Sequence, residues 1–416
     1  MNLHKVRGWA LLACAGAVAL VVAACGGGSS STSSSGSAKV PSDLSVKSFD
    51  NSFSVMASLK SVTSAGKGLV GVILPDTTSS TRYVNFDAPY LTKAFTAAGF
   101  STSDFKIDNA QGSDATELAD AQADISLGAK VLIFDPLDST VGAQIQSYAQ
   151  SHGVKTISYD RATFQGNNTY YVSFDNVQVG KLIGQGFMSC IQSWSVSKPQ
   201  VFVLNGGEDT DPNAVSFAEG YNSVLWGNTT TPQKAGTTNS AGYTLVGDQI
   251  TPGWVNATGG TIFQQQFTAH PNINATVEAN DGLANAVVTV LKNSGVAAKK
   301  VPTTGQDATL QGMINVLQGF QCGSVYKAVY LEAQDAVAIA TILRAGLTPP
   351  SALINGKTEP PKGVSGTAQP ASLLTPKWVD SSTIGSTVVK DNFVTASALC
   401  GAVGAAVCQA NNIPTS

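Results

Sequence analysis

Charged side chains are scarce in this chain of 416 residues, and that scarcity excludes one class of partner. Asp, Glu, Lys and Arg together make up 12% of the sequence, which is about half the usual share. The 24 basic and 27 acidic residues give a net charge of −3 at pH 7. Proteins that bind nucleic acid need a dense cationic surface, so we predict no nucleic-acid partner.

Hydrophobic residues, by contrast, make up 43% of the chain, which is enough for a large core. A disordered chain combines low hydrophobicity with high net charge, and this chain has neither property. At roughly 150 residues per domain, the length suggests two or three domains. Uncharged Ser, Thr, Asn and Gln carry most of the hydrogen-bonding capacity.

Histidine is also scarce: the chain has 3, and only His152 and His270 lie beyond the first few residues. The G-x-S-x-G motif of the α/β-hydrolases does not occur in the sequence. Asp211 and Asn213 belong to a run that begins like a calcium loop, but Ala214 occupies the position that requires Gly. We therefore predict no metal, no cofactor and no enzymatic activity. The alternative is an enzyme that hydrolyses glycosides, because such enzymes use paired carboxylates.

The first 24 residues have the pattern of a secretory signal peptide. Lys5 and Arg7 precede an uncharged apolar run over residues 8–24, which ends in small residues just before Cys25. Small residues directly before a cysteine resemble the bacterial lipobox, in which that cysteine is lipidated. We therefore predict cleavage after residue 24, a lipid anchor on Cys25 and a position outside the bacterial cell membrane. An uncleaved membrane-spanning helix is the weaker alternative, because the run is shorter than about 20 residues.

A flexible tether is expected to follow the anchor. Residues 26–37 consist only of Gly, Ser and one Thr, a composition that behaves as a flexible coil. We predict that the tether covers residues 25–66 and that the folded body begins at residue 67.

Four cysteines remain beyond the anchor, namely Cys190, Cys322, Cys400 and Cys408. Export places the body in an oxidising compartment, so disulfides are expected. A continuous helix would hold Cys400 and Cys408 about 12 Å apart, which is too far for a bridge. A bond between them therefore requires a turn, which the two glycines between them permit. Cys190 and Cys322 would then form the other bond.

Beyond residue 66, short apolar runs alternate with helical patterns. Four runs between residues 69 and 174 are rich in β-branched residues and end in turn residues, which predicts buried parallel strands. The same pattern starts again over residues 199–326. This alternation predicts an α/β fold with two doubly wound parallel-sheet lobes. Such sheets bind ligands at the carboxyl ends of their strands.

Polar and charged residues follow many of these strands. They are Asp76, Asp135, Asp160, Arg161, Asp175, Asn176, Asn280, Asp281, Gln306 and Asp307. Asp and Asn are also favoured in ordinary turns and helix caps, and we assign Asp135 and Asp175 to that structural role. The remaining residues, together with Lys327, predict a polar binding pocket.

Several short motifs of the body resemble those of the D-xylose-binding proteins of bacterial sugar ABC transporters. They are YDR at 159–161, YVSFDN at 171–176, GG at 206–207, VGDQ at 246–249, ND at 280–281, GQDATL at 305–310, VYK at 325–327 and LLTP at 373–376. Their order and spacing match from about residue 68 to residue 393. The wider family includes ribose- and glucose/galactose-binding proteins. Residues 395–416 lie beyond the resemblance, and the sequence leaves their role open.

The resemblance implies the type I periplasmic-binding-protein fold, in which two lobes joined by a three-segment hinge close on a ligand. The hinge crossings are expected near Asn176, Lys327 and Thr375. The expected lobes are an N-terminal one of residues 67–175 and 328–372 and a C-terminal one of residues 176–327 and 373–416.

Carried over residue by residue, the resemblance implies one sugar site. Its residues would be Arg82, Tyr83, Asp160, Arg161, Asp211, Asn213, Trp254, Asn280, Asp307 and Lys327. Carboxylates accept the protons of sugar hydroxyls, while Arg, Lys and Asn donate to the hydroxyl oxygens. Two positions depart from the family, with Tyr83 in place of Trp and Pro212 in place of Asn. These departures leave open which sugar is bound.

The sequence thus predicts a monomeric, lipid-anchored, extracytoplasmic subunit of an ABC importer. It would bind D-xylose or a similar aldose between its lobes and deliver the sugar to a permease in the membrane. A sensor lipoprotein that signals to a membrane receptor would use the same site, so the sequence leaves transport and sensing as alternatives.

Overall fold

The computed structural model describes residues 38–208 and 211–415. The expected signal peptide and the expected lipidation site at Cys25 lie outside the described residues. The strands are β1 (Leu69–Leu74), β2 (Phe105–Asn109), β3 (Ala129–Phe134), β4 (Lys155–Tyr159), β5 (Tyr170–Phe174), β6 (Gln200–Gly206), β7 (Thr244–Thr251), β8 (Ala275–Glu278), β9 (Ser324–Tyr326), β10 (Gly356–Thr358), β11 (Gln369–Leu374) and β12 (Lys377–Val379). The α-helices are α1 (Lys60–Ala65), α2 (Ala88–Ala97), α3 (Asp114–Ser126), α4 (Ser139–Ser151), α5 (Asn176–Ser193), α6 (Pro212–Leu225), α7 (Asn256–Ala269), α8 (Asp281–Asn293), α9 (Leu310–Leu317), α10 (Val329–Arg344), α11 (Ala396–Val403) and α12 (Ala405–Ala410).

The N-terminal lobe is built on a seven-stranded sheet in the order β10-β11-β5-β4-β3-β1-β2. Its strands are parallel, except that β10 runs antiparallel to β11. Alternate residues of β1 point to opposite faces, so Val70 and Val72 pack with α2 and α10, while Ile73 packs with α3 and α4. A sheet covered on both faces needs the continuous apolar strands that the sequence shows.

The C-terminal lobe contains a three-stranded parallel sheet in the order β7-β6-β8. Helices α5 and α6 pack closely against each other, because glycines meet at their crossing. A side-chain Cβ at Gly180 would lie 2.1 Å from the carbonyl oxygen of Phe217, and one at Gly220 would lie 2.4 Å from that of Val177. Any larger residue at either position would push the two helices apart.

The chain passes between the two lobes at three places. It leaves the first sheet after β5 and enters α5, returns between β9 and α10, and leaves again after β11 toward β12. Strand β12 pairs antiparallel with β9 in a separate two-stranded sheet. The carboxyl ends of the parallel strands of both lobes therefore lie on either side of one cleft.

The segment predicted as a tether folds over much of its length, so the expectation that the tether extends to residue 66 was wrong. Residues 54–59 form a 3₁₀ turn that leads directly into α1. Phe53, Met56, Leu59 and Val62 are buried against α2 and α10. These apolar side chains recur at helical spacing, and their burial stabilises the fold. A Gly/Ser coil has no apolar side chains to bury.

The last stretch of the chain, residues 380–415, contacts both lobes. We had expected it to belong to the C-terminal lobe alone. We refer to it as the C-terminal segment. Phe393 stacks on Phe86 of the N-terminal lobe with 3.9 Å between ring centroids, and α11 packs against α9 of the C-terminal lobe. Such contacts join elements far apart in sequence, which no local pattern reveals.

Both expected disulfides are present. Cys190 and Cys322 are bonded with their Cα atoms 5.7 Å apart, and Cys400 and Cys408 are bonded at the same Cα distance. The chain turns between α11 and α12 at Gly404, whose φ of 89° favours glycine. That turn brings Cys400 and Cys408 together, as the helix-length argument required.

Candidate functional site

All ten residues expected at the site line one small cavity in the cleft between the lobes. Four further residues also line it, namely Ser79, Ser80, Phe217 and Gln306. The cavity has a volume of about 30 Å³, enough for roughly two water molecules. A sugar ring needs more space, so we expect the side chains from the two lobes to move apart on binding.

Arg82 is held by carboxylates on three sides. It follows the loop after β1, and its guanidinium donates to both oxygens of Asp87 at 2.7 and 2.9 Å. It also donates to Glu332 at 2.7 Å and to Asp160 at 2.9 Å. Arg82 is only 2% exposed, and a charge buried to that extent needs such partners. The network fixes the guanidinium before any ligand arrives.

Asp160 lies at the centre of the site, directly after β4. Its backbone has a φ of 58°, a left-handed conformation that costs energy in a residue with a side chain. The hydroxyl of Tyr171 donates to the Asp160 carbonyl at 2.8 Å, and the Asn213 amide donates to it at 3.1 Å. These two hydrogen bonds hold the unusual backbone, which turns the carboxylate into the cavity.

The carboxylate of Asp160 is ionised because cations surround it. Burial by itself would raise its pKa, but the charges of Arg82, Lys327 and Arg161 outweigh burial and hold the pKa well below its ordinary value. Lys327 Nζ lies 3.4 Å from Asp160 Oδ1. An ionised, desolvated carboxylate is a strong acceptor for a hydroxyl proton.

Tyr83 closes this side of the cavity. Its hydroxyl donates to Asp160 Oδ2 at 3.2 Å, and its ring lies 5.5 Å from the guanidinium carbon of Arg82 and 5.8 Å from that of Arg161. Burial raises the pKa of the Tyr83 hydroxyl well above its ordinary value. The phenol therefore stays protonated and keeps a donor directed at Asp160.

Asp135 has a larger role than the turn that we had assigned to it. It is fully buried and accepts a hydrogen bond from Arg161 Nη1 at 3.0 Å. Arg161 Nε lies 3.5 Å from Asp211 Oδ2 across the cleft. Asp135 therefore supports an arginine that reaches toward the other lobe. Asp175 does have the expected role and caps α5 through the Gln178 amide.

The C-terminal lobe positions its side chains at the N-termini of helices. Asp211 caps α6 by accepting from the backbone amides of Asn213 at 2.9 Å and Ala214 at 3.3 Å. Asn280 caps α8 by accepting from the amide of Leu283 at 2.9 Å. Capping residues are fixed by backbone amides that have no helical partner, so both side chains are held in place by the fold.

Trp254 packs flat against the end of β6. A Cβ at Gly206 would lie 1.9 Å from the indole ring, so only glycine allows this approach. The indole nitrogen donates to Asp211 Oδ2 at 2.7 Å, and the ring contacts Phe217 edge to face at 6.3 Å. The packing presents a fixed aromatic surface to the apolar face of a ligand.

Asp307 is the last of these site residues. It lies in the segment between α8 and α9. Its Oδ2 accepts from Ser80 Oγ of the N-terminal lobe at 2.9 Å. Its Oδ1 has no hydrogen-bond partner among residues 38–208 and 211–415 and lies 3.9 Å from Lys327 Nζ. This buried oxygen is an acceptor that a ligand hydroxyl can satisfy.

Sequence reasoning missed part of the site. Ser79 and Ser80 belong to a loop with no distinctive pattern, and Phe217 reads as an ordinary core residue of α6. Gln306, by contrast, was among the strand-end residues predicted to form the pocket, although the residue-by-residue resemblance did not include it. Asp87 and Glu332 are supporting residues whose pairing with Arg82 depends on tertiary contacts alone.

The arrangement suits an uncharged molecule rich in hydroxyl groups. The cations Arg82, Arg161 and Lys327 face an equal number of carboxylates, those of Asp160, Asp211 and Asp307. Each hydroxyl can donate to a carboxylate and accept from a cation or an amide. Within residues 38–208 and 211–415, no cluster of His, Cys, Asp and Glu is arranged to hold a metal ion. In the same part of the chain, no helix is long and apolar enough to cross a membrane.

Comparison with known proteins identifies the family to which the chain belongs. Residues 70–347 match the family described as periplasmic binding protein domain, and the chain belongs to that family. The expected two-lobed α/β fold is thereby confirmed, as is the expected class of a binding protein in place of an enzyme.

Among individual relatives, the D-xylose-binding periplasmic protein of Escherichia coli is 31% identical over 290 residues, which cover 69% of this chain and 80% of the relative. The multiple sugar-binding periplasmic receptor ChvE of Rhizobium radiobacter is 28% identical, with 80% of this chain and 93% of the relative covered. The resemblance to the D-xylose-binding type is therefore confirmed.

Among solved structures, a carbohydrate transporter solute-binding protein of Chloroflexus aurantiacus in complex with D-glucose superposes with a TM-score of 0.67. It is 25% identical, and the match covers 80% of this chain and 98% of that one. An ABC transporter solute-binding protein of Clostridium phytofermentans with bound β-D-glucose superposes with a TM-score of 0.66 at 22% identity, with 80% and 99% of the two chains covered. The second likeness concerns the fold alone.

Proposed function

We propose that this chain is the extracytoplasmic sugar-binding subunit of an ABC importer and that it binds D-xylose or a similar aldose in the cleft. The observation that carries the proposal is the charge-balanced cavity, in which the buried Oδ1 of Asp307 has no hydrogen-bond partner among residues 38–208 and 211–415. A site of this kind rejects molecules that lack a matching hydroxyl, because its own buried groups would stay unpaired. The names of the relatives, which bind D-xylose or several sugars, support the same class of ligand.

The two lobes would separate and close about the three crossings near Asn176, Lys327 and Thr375. We propose the N-terminal lobe in residues 67–175 and 328–372 and the C-terminal lobe from 176 to 327, with the C-terminal segment shared between them. Polar contacts across the cleft, such as Asp160 with Asn213 and Ser80 with Asp307, would exchange for contacts to the sugar. The closed, sugar-loaded form would dock on the permease.

The test is a panel of sugars measured by calorimetric melting. Ligand at about 100 times its dissociation constant adds about 2.7 kcal/mol to the free energy of unfolding. We expect D-xylose or D-glucose to raise the melting temperature, and L-sugars and sugar acids to leave it unchanged. If no aldose in the panel shifts the transition, the proposed function is wrong.

A matched pair of variants connects the shift to the cavity. Asp307→Asn keeps the shape of the side chain but removes a charged acceptor, and hydrogen bonds to charged groups contribute about 1.5–3 kcal/mol. We expect sugar affinity to fall roughly 10- to 100-fold in this variant. Asp138→Asn is the control, because Asp138 caps α4 and does not line the cavity. Equal affinity in the two variants would remove Asp307 from the site.

We also propose that lipidation of Cys25 holds the protein at the outer face of the membrane. The support is the sequence pattern, with a short apolar run and small residues before the cysteine. Cys25→Ser should release the protein from the membrane fraction, and mass spectrometry should find lipid on the wild-type N-terminus only. A wild-type N-terminus without lipid at Cys25 would exclude the anchor.

A further inference from the structure

A second, larger cavity adjoins the candidate sugar cavity. Its volume is about 430 Å³, within the usual range of small-molecule sites. The two cavities share four lining residues, namely Ser79, Ser80, Asn280 and Asp307. Because Ser80 and Asp307 are hydrogen-bonded to each other, that bond lies at the boundary between the two cavities.

The walls of the second cavity come from both lobes and from the C-terminal segment. Phe86 and the stacked Phe393 provide an aromatic surface, and Leu310, which is 40% exposed, provides an aliphatic one. Most of the remaining lining residues are Ser, Thr, Asn and Gln, and among the described residues that line the cavity Asp307 is the only charged one. Uncharged hydrogen-bonding groups beside apolar surface suit a neutral carbohydrate unit or another neutral substituent.

The boundary between the two cavities contains the same buried acceptor that the proposed sugar site uses. Asp307 is 5% exposed, and its Oδ1 has no hydrogen-bond partner in the described part of the chain. Its other oxygen holds Ser80 from the opposite lobe. A ligand that opens the Ser80–Asp307 contact would make one continuous space of the two cavities, with Asp307 at its middle.

We propose that the preferred ligand is a neutral glycoside that occupies both cavities. Its terminal sugar would lie among Asp160, Arg161 and Lys327, and the unit attached to that sugar would lie between Phe86 and the C-terminal segment. This inference rests on the proposed function, since it assumes that the first cavity takes a sugar. It adds the second unit of the ligand and assigns a binding role to Phe393, Val394, Thr395 and Ala398.

Isothermal titration with matched sugars tests the proposal on the full protein. The probes are D-xylose with xylobiose, and D-glucose with cellobiose. We expect one disaccharide to bind at least as tightly as its monosaccharide. If a monosaccharide binds and both disaccharides bind more than tenfold more weakly, the second cavity is not a sugar subsite, and the proposed function stands. If none of the four sugars binds, the proposed function fails together with this inference.

Variants that fill the second cavity identify its role. Ala398 lines it from α11, whereas the neighbouring exposed Ser397 does not. We expect Ala398→Trp to weaken disaccharide binding at least tenfold and monosaccharide binding less than threefold, with Ser397→Trp changing neither. A disaccharide affinity that Ala398→Trp leaves unchanged overturns the proposal.

A second pair approaches the cavity from the opposite wall, which guards against misfolding of α11. Asn85 lines the cavity, and its neighbour Val84 is 50% exposed and does not. Asn85→Trp should show the same selective loss, and Val84→Trp should bind both sugars like the wild type. Equal losses for both sugar sizes in Asn85→Trp would also overturn the proposal.

Discussion

The two lobes hold their halves of the site by different means. The N-terminal lobe presents Arg82, Asp160 and Arg161, and further buried carboxylates pair with the two arginines. The C-terminal lobe presents Asp211 and Asn280, which are fixed by backbone amides at helix N-termini. Ion pairs in a dry interior leave a stranded charge when one partner is lost, whereas a lost cap leaves one unpaired amide. A substitution to alanine should therefore lower the free energy of unfolding more in the N-terminal half of the site than in the C-terminal half.

The largest expected effect compares Asp160→Ala with Asn280→Ala. Removing Asp160 leaves Arg82 and Lys327 facing each other without their shared carboxylate. Breaking a buried ion pair costs about 3–5 kcal/mol, and losing a cap costs about 0.5–2 kcal/mol. Urea unfolding followed by circular dichroism measures both values. Equal losses of stability would show that the ion pairs add no more than the caps do.

The next effect concerns the disulfide of the C-terminal lobe. Cys190 and Cys322 are 132 residues apart in sequence, and closing so long a loop restricts the unfolded chain strongly. The double variant Cys190→Ser with Cys322→Ser should lose about 2–4 kcal/mol. Hydrogen exchange should rise in α5, α6 and α8 more than in α2 and α10. Uniform exchange across both lobes would contradict a stabilisation confined to the C-terminal one.

The next expected effect, which is smaller per pH unit than the losses above, is a dependence of stability on pH that arises in the C-terminal lobe. Burial raises the pKa of Glu278 from 4.5 to about 8, so the folded protein holds a proton that the unfolded chain releases. Stability is then fully present below about pH 4.5 and falls as the pH rises through 8. Glu278→Gln should remove up to about 1.4 kcal/mol per pH unit from the slope in this window.

The measurement for Glu278 is the urea midpoint from pH 5 to pH 9. Glutamine keeps the oxygen that accepts from the Thr304 amide at 2.8 Å, so the variant is a close match in shape. Parallel profiles for the wild type and the variant would show that Glu278 does not titrate in this range. Asp160 should act in the opposite sense, because its pKa is lowered and its contribution is lost only as the pH falls into the acid range.

The smallest expected effects come from single hydroxyl and indole hydrogen bonds on the two sides. Tyr83→Phe removes the donor to Asp160, and Trp254→Phe removes the donor to Asp211. Hydrogen bonds to charged groups contribute about 1.5–3 kcal/mol. Because each of these bonds positions a carboxylate and does not itself contact the sugar, sugar affinity should fall no more than roughly tenfold in either variant. Titration calorimetry measures the change. A loss of 100-fold in Tyr83→Phe would mean that Tyr83, and not Asp160, dominates recognition.

Much of the fold and most of the site follow from local sequence patterns. Apolar runs such as residues 69–74 and 131–134 predict the central strands, and the topological rule for parallel sheets places Asp160 and Asn280 at facing edges. Hydrogen-bonding side chains at those edges are recognisable without knowledge of their partners. The resemblance to a known family then supplied Arg82 and Trp254, which no strand-end pattern indicates.

Other features depend on contacts between distant parts of the chain. Asp135 precedes a proline and therefore has the pattern of a turn, although the fold places it against Arg161. Residues 44–62 follow a Gly/Ser stretch and were assigned to the tether, yet their apolar side chains fill a gap beside α2 and α10. The C-terminal segment joins both lobes through Phe393, and nothing near residue 393 in the sequence signals that partner.

The position of Trp254 makes its intrinsic fluorescence a probe of ligand binding. Among the tryptophans that the structure describes, it is the one that lines the candidate sugar cavity. Its ring rests on Gly206, and its nitrogen donates to the carboxylate of Asp211, so a molecule that exchanges that hydrogen bond or expels water from the ring changes the polarity around the indole. The emission spectrum of the unlabelled protein therefore follows the occupancy of the cleft in real time, and the rates of ligand entry and release can be read from the native chain without an attached dye.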